Sequence, residues 1–137
     1  MLKRQFETQG IKIEIKLGRK QFLIYGNPTL MQQVVYNLAV NSRDALSGFS
    51  AKQIEFLLKR SSNKVMLDVK DNGSGIAPEN LQNIFEPFFS TKTRGHGTGL
   101  GLSISNRIVK NHSGVLNCKN NESGKGALFR IILPLAK

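Results

Sequence analysis

The chain of 137 residues has no tryptophan, one cysteine, two histidines and nine acidic residues, and these shortages already narrow its chemistry. A single cysteine, Cys118, rules out an internal disulfide and a thiolate metal cage. It suits a reducing compartment and reads as a small core residue. No window approaches the roughly 18 consecutive apolar residues of a membrane span. The charged start "MLKRQFETQG" lacks the apolar core of a signal peptide, so a soluble protein of cytoplasmic type is expected. The shortage of acid is the most informative. Against nine Asp and Glu stand 20 Lys and Arg, a net charge of +11 that favours polyanions: nucleic acid, acidic membrane or nucleotide. The basic residues (Lys3, Arg4, Lys12, Lys16, Arg19, Lys20, then Lys52, Lys59, Arg60, Lys64) are dispersed, with no dense run and no interleaved aromatics. They read as a solvated basic face, and no nucleic-acid partner is expected.

One domain is the natural reading of this length. "GIKIEIKLG" alternates apolar and polar as a half-buried strand does, and "QFLIYG" reads as a second short strand, so a hairpin is expected to open the fold. "NPTLMQQVVYNLAVNSRDAL" starts with Asn27 as a cap and Pro28 in the first turn, and runs as a helix without a breaker to Gly48. "QIEFLLKR" and "KVMLDVKDNG", joined by "SSN", read as adjacent antiparallel strands. "APENLQNIFEPFF" offers a short helix, and "LGLSISNRIVKNHSG" a longer one that stops at Gly114. Two last strands, "GVLNCKN" and "ALFRIILPL", flank the glycine turn "GKG". With no βαβ alternation visible, the class is α+β: a two-layer sandwich of a mixed, mostly antiparallel sheet with helices on one face.

Four groups of residues carry chemistry. Gln33, Asn37, Asn41 and Asp44 lie within about 80° of one another on a helical wheel, opposite Val35, Leu38, Ala39, Ala45 and Leu46. A carboxamide stripe is either a plain solvent face or a set of hard oxygen ligands suited to Mg²⁺. "DNGSG" at 71–75 follows a strand. It is either a turn, or a place where glycines admit a ligand to the backbone while Asp71 accepts a hydrogen bond from a donor such as an adenine amine. "GHGTGLGLS" places Gly97, Gly99 and Gly101 ahead of the apolar series Leu100, Ile104, Ile108. Read alone it is a flexible linker or a run of bare N–H groups offered to an anion at a helix start. It is neither a Walker loop nor a dinucleotide fingerprint. "GKG" alone is a hairpin turn.

Together and in this order, these segments resemble the ATP-binding catalytic domain of sensor histidine kinases, in the superfamily shared with gyrase, Hsp90 and MutL. "QVVYNLAVNSRDAL" is similar to that family's asparagine box, "DNGSGI" to its first glycine box, "IFEPFFSTK" to its phenylalanine box, "GTGLGLS" to its second glycine box, and "GKGALFRIILP" to its final turn and strand. The details are most similar to the nitrogen-regulator branch. The resemblance covers about Gly10 to Leu135 and implies the Bergerat-type ATP-binding fold, with residues 10–137 as the catalytic domain and 1–9 as a residual upstream helix or linker.

The resemblance also implies roles. Asn41 would hold Mg²⁺, with Asn37 on the γ-phosphate side. Asp71 would accept from adenine, with Gly73, Gly75, Ile76 and Phe129 shaping the base pocket. Gly97, Thr98, Gly99, Leu100 and Gly101 would wrap the phosphates of ATP, and Lys92, Arg43 and Arg94 would supply positive charge. Phosphoryl transfer needs this equipment, because its catalysis is mainly positioning and charge neutralisation. Residues Ala77 to Thr98 would form a nucleotide lid, and Phe85, Phe88 and Phe89 would dock on a helical partner.

Neither His96 nor His112 sits in a phosphoacceptor pattern, and both read as exposed polar residues. The implied substrate is therefore a histidine on a dimerisation domain outside this chain, with a response regulator as the indirect partner. The isolated domain is expected to be a monomer. The competing readings are a degenerate nucleotide-binding scaffold, a basic nucleic-acid binder, and a serine kinase of the anti-sigma-factor type.

Overall fold

The longest helix is built as its sequence requires. Asn27 stands in extended conformation and its side chain accepts from the Leu30 N–H at 3.1 Å, Pro28 occupies the first turn, and the helix runs Pro28–Ala45. Its buried residues, Val34, Leu38, Ala39 and Ser42, recur at helical spacing and turn one face to the sheet. In the computed structural model, which describes residues 2–87, 89 and 101–136, this helix is α2. The elements in chain order are α1 (Leu2–Glu7), β1 (Ile11–Lys16), α2, β2 (Lys52–Ser61), β3 (Lys64–Asp71), α3 (Gly101–Asn111), β4 (Val115–Asn120) and β5 (Ala127–Pro134).

The five strands form one sheet in the order β1-β2-β3-β5-β4. All neighbours are antiparallel except β1 and β2, which run parallel with Ile13 opposite Ile54. The core lies between the helices and one sheet face, where Val69, Phe129 and Ile131 meet Val34, Leu38 and Val109. Phe6 of α1 is also fully buried in that core. The mixed, mostly antiparallel two-layer architecture is as the sequence indicates, with three local corrections.

The first concerns the opening hairpin, which does not form. Residues 21–26 carry the strand alternation: Phe22 and Ile24 pack on the core while Leu23 and Tyr25 are 72% and 73% exposed. Yet among the described residues they pair with no strand, and Leu23 instead accepts a backbone bond from Ala136 N–H at 2.7 Å. Second, β1 reaches its parallel partner β2 only through α2, so a βαβ unit is present after all. Third, the segment 77–87 is a chain of turns rather than a helix. Its bonds, among them Asn80 N–H to Ala77 O at 2.8 Å and Asn83 N–H to Asn80 O at 2.9 Å, all span three residues. Prolines at both ends and two turn-favouring asparagines keep it from closing a four-residue ladder.

Candidate active site

The C-terminal end of β3 delivers Asp71 into the interior, where the residue is 3% exposed. Its Oδ1 accepts from Gly73 N–H at 2.9 Å and from Ala127 N–H at 3.3 Å, and no described N–H donates to Oδ2. Burial pushes this carboxyl above the ordinary carboxylate range, and the two N–H groups and the Ser42 hydroxyl pull it back only in part. Ser42 Oγ, buried on α2, has no well-formed hydrogen-bond partner among the described residues. Two strands over, on β4, burial and then the Asp71 charge push the Cys118 thiol up to about 12, so Cys118 stays protonated and acts as a small core residue.

Around Asp71 a set of carboxamides ties the loop 72–76 in place. Asn120 at the end of β4 pairs with the backbone of Ile76 in both directions, accepting from its N–H at 2.7 Å and donating to its carbonyl at 2.7 Å. Asn121 donates to the Asp71 and Lys125 carbonyls, each at 2.8 Å. Asn72 accepts from Gln53 N–H at 2.8 Å and donates to Ala51 O at 3.0 Å, holding the loop to the start of β2. The β4–β5 turn closes on Asp71 through Gly126, whose φ of +83° suits glycine and whose missing Cβ would collide with the Asp71 carbonyl. Gly73 lies against the end of α2, with the Ala45 carbonyl 2.5 Å from where a Cβ would stand, and Gly75 backs onto Asn120. Sequence reasoning missed Asn120 and Asn121. Their only signal was a pair of carboxamides ahead of the "ESGKG" turn.

Along α2, away from Asp71, come the predicted asparagines. Asn41 is half-buried and makes no side-chain hydrogen bond to another described residue, whereas Asn37 donates to Ser105 Oγ of α3 at 3.3 Å. Gly101 opens α3, and among the described residues a Cβ there would meet only the Asn37 carboxamide, at 4.0 Å. The first turn of α3 carries no acidic residue, so nothing anionic within the helix offsets the positive end of its dipole. Asp71 and Gly73, then Ser42 and Asn41, then Asn37 and Gly101 therefore lie in sequence along α2. From Ala45 to Asn37 this line is about 12 Å at the rise of an α-helix.

Several expected site residues are not part of this line. Arg43 stands about 200° around α2 from Asn41. Its guanidinium lies 5.7 Å from the centre of the Phe6 ring and 3.4 Å from Asp44, engaged away from the asparagines. Phe129 is fully buried in the core opposite Val69, so its part there is packing. Phe85 and Phe89, expected to dock on a helical partner, are half-buried and pack against the core. His112 is half-buried and bonded on both ring nitrogens, not an exposed polar residue. Lys92, Arg94, His96, Gly97, Thr98, Gly99, Leu100 and Phe88 lie outside the described residues. Among the described residues no cluster of three His, Cys, Asp or Glu could hold a metal.

Comparison with known proteins identifies the family and the fold. Residues 26–137 match the family described as histidine kinase-, DNA gyrase B-, and HSP90-like ATPase. The two-component sensor PprA of Pseudomonas aeruginosa is 40% identical over 99% of the chain, and the sensor histidine kinase ZraS of Salmonella typhimurium is 35% identical over 94%. The chain spans 15% and 27% of these two proteins' own lengths. Among solved structures, the nucleotide-free catalytic domain of histidine kinase ThkA superposes with a TM-score of 0.84 at 29% identity, covering 97% of this chain and 84% of that one. Full-length ShkA in complex with AMPPNP superposes with a TM-score of 0.82 at 26% identity, covering 99% of this chain and 28% of that one. The chain belongs to the histidine kinase-, DNA gyrase B- and HSP90-like ATPase family, and is a catalytic ATPase domain of the sensor histidine kinase kind.

Proposed function

We propose that the chain binds Mg-ATP along α2 and passes its γ-phosphoryl group to a histidine on a separate dimerisation domain, which in turn phosphorylates a response regulator. The supporting observation is the line of complementary groups. A buried carboxylate whose Oδ2 takes no N–H from the described residues stands at one end, a carboxamide without a partner among the described residues in the middle, and an acid-free helix N-terminus at the other. Its length of about 12 Å suits a nucleotide lying extended from base to phosphates. At the base end, Asp71 Oδ2 accepts from the exocyclic amine of adenine, and the Ser42 hydroxyl gives the buried edge a further polar partner. Asn120 holds Ile76 as one lip of the base pocket. The N–H groups at Gly101 face the phosphates, favoured by the helix dipole.

The donor set fits Mg²⁺, which takes a few oxygen ligands from protein, keeps several waters and completes its shell with phosphate oxygens. Asn41 Oδ1 is the protein ligand, and the metal supplies neutralisation of phosphate charge. Asn37, anchored through Ser105, orients the γ-phosphate side. Lys92, Arg94, Gly97, Thr98, Gly99 and Leu100 keep the phosphate-binding roles their motifs suggest. Residues 10–137 carry the catalytic site and α1 folds with them through the buried Phe6; the parent kinase is cytoplasmic or membrane-anchored.

The test mixes the chain with labelled ATP, Mg²⁺ and a separately made histidine-bearing dimerisation domain. Acid-labile phosphate on the added domain is the expected outcome. Calorimetric ATP binding without any transfer would reduce the chain to a nucleotide-binding scaffold, and no ATP binding would overturn the proposal entirely.

A further inference from the structure

One polar contact lies far from the line of groups just described and joins the two helices that carry it. His112, one residue past α3, accepts at Nε2 from the Asn27 backbone N–H at 3.1 Å, while its Nδ1 is 2.7 Å from the Ile108 carbonyl. The partners dictate the protonation of the ring. A backbone N–H can only donate, so Nε2 must be bare, and a carbonyl can only accept, so Nδ1 must carry the proton. Only the neutral Nδ1–H tautomer makes both bonds.

Asn27 is the N-cap of α2, its own side chain already committed to Leu30 N–H, so His112 fixes the backbone of the cap itself. Gly26 makes room for the ring. Its φ lies outside the left-handed region, yet a Cβ there would stand 2.5 Å from His112 Cδ2 and 2.9 Å from Nε2. The glycine is therefore needed for space rather than for backbone conformation.

The consequence follows from the packing of the two helices. Asn27 of α2 meets the C-terminal end of α3, and Asn37 meets Ser105 and Gly101 near its start, so α2 and α3 run antiparallel with a polar tie at each end. The tie at the phosphate end is a single long hydrogen bond of 3.3 Å. The tie at the far end is the stronger, because the imidazole is held on both sides. An 11-residue helix is a stiff rod of about 16 Å, so a shift at its C-terminal end reappears at Gly101. We propose that His112, as its Nδ1–H tautomer, is a positioning residue for nucleotide binding: it sets the register of α3 on α2 and thereby the distance between the α3 N-terminus and Asn37 and Asn41. This rests on the reading that a nucleotide lies between those two helices.

The test measures Mg-ATP affinity by calorimetry for the whole chain and for His112→Ala, His112→Gln, Gly26→Ala and the double variant, well below each melting temperature. Wild type is expected to bind, and His112→Ala and Gly26→Ala to bind about fivefold more weakly, the weight of one hydrogen bond. Gln, whose Oε1 can accept from Asn27, should recover most of the loss. If both changes act on the same contact, the double variant should be no weaker than either single one. Nitrogen-15 spectra of the wild-type ring should show the Nδ1–H tautomer. A His112→Ala chain that melts earlier but binds Mg-ATP as wild type does, or an Nε2–H tautomer, would overturn the inference and leave the nucleotide reading intact. Absence of wild-type binding would remove both. If His112→Ala does not fold, Gly26→Ala and His112→Gln carry the comparison.

Discussion

Two aspartates three residues apart on β3 are almost equally buried and have been given opposite surroundings. Asp68, 1% exposed, lies on the sheet face away from the core, where Arg130 grips it with two charge-assisted bonds of 2.7 and 2.9 Å and Lys59 stands 3.5 Å away. Burial alone would raise its carboxyl, but the Arg130 fork, the Arg130 charge and Lys59 outweigh that and hold it below the usual range. Asp71, on the core face, has only neutral donors among the described residues, and burial prevails. A buried charge that the fold itself neutralises is part of the scaffold. One with no counter-ion among the described residues is unfavourable in the free protein, which supports the proposal that Asp71 takes a donor from a bound ligand.

The largest expected effect breaks the first half of that contrast. Arg130→Met removes the fork and leaves the Asp68 charge buried with a more distant lysine, so stability should fall by about 3 kcal/mol in chemical denaturation. Nucleotide affinity should stay within about twofold, since Arg130 is on the opposite sheet face. A loss of binding greater than the loss of folded protein explains would mean that the two faces are not independent.

Asp71→Asn addresses the other half. It keeps an acceptor for Gly73 and Ala127 but turns the open oxygen into a donor or misplaces it, so Mg-ATP affinity should drop by about 100-fold, the scale of a charged hydrogen bond lost and a donor left facing a donor. The apo fold should be no less stable, because the unneutralised charge has gone.

The two residues also predict opposite pH signs. Asp68, with its folded value below 3.8, contributes stability that is fully present above 3.8 and is lost as pH falls through the lower folded value. Asp71, raised above 3.8, carries a penalty that is full above its folded value and fades as pH drops towards 3.8. Between wild type and Asp71→Asn, the stability gap should therefore close on acidification from neutral, and between wild type and Asp68→Asn it should shrink only below that range. Urea midpoints across pH check both, and equal profiles for the two variants would refute the contrast.

The sequence was legible where a residue's own pattern decides its structure. The capped α2, the β2–β3 and β4–β5 pairs and the helix after the glycines are all local consequences of period and turn chemistry. It was opaque where the outcome depends on a distant neighbour. "QFLIYG" has a strand's alternation but pairs with no described strand, and the parallel β1–β2 pairing depends on where α2 returns the chain. The same divide runs through the site. Asp71, Asn37 and Asn41, the proposed nucleotide contacts, announce themselves by motif, whereas the contacts of Asn120, Asn121 and His112 exist only because folding brings them 44, 50 and 85 residues along the chain to their partners. Arg43 misled because a helix places it on the wrong side, a fact of angle that motif spacing hides.

The smallest predicted effect bears on how rigidly the open carboxylate is presented. Asn120→Ala deletes two 2.7 Å bonds to the Ile76 backbone while leaving Asp71 with its Gly73 and Ala127 donors. The loop 72–76 keeps its tethers at Asn72 and Asn121, so stability should fall by only about 1 kcal/mol. Loss of one lip of the base pocket should weaken Mg-ATP by about fivefold. The sharper measurement compares ATP with inorganic triphosphate: if Asn120 acts on the base end alone, only the nucleotide is weakened. Equal weakening of both would place its influence on the whole line along α2, and the distinction between a rigid scaffold face and a poised binding face would then have to be drawn elsewhere than at β3.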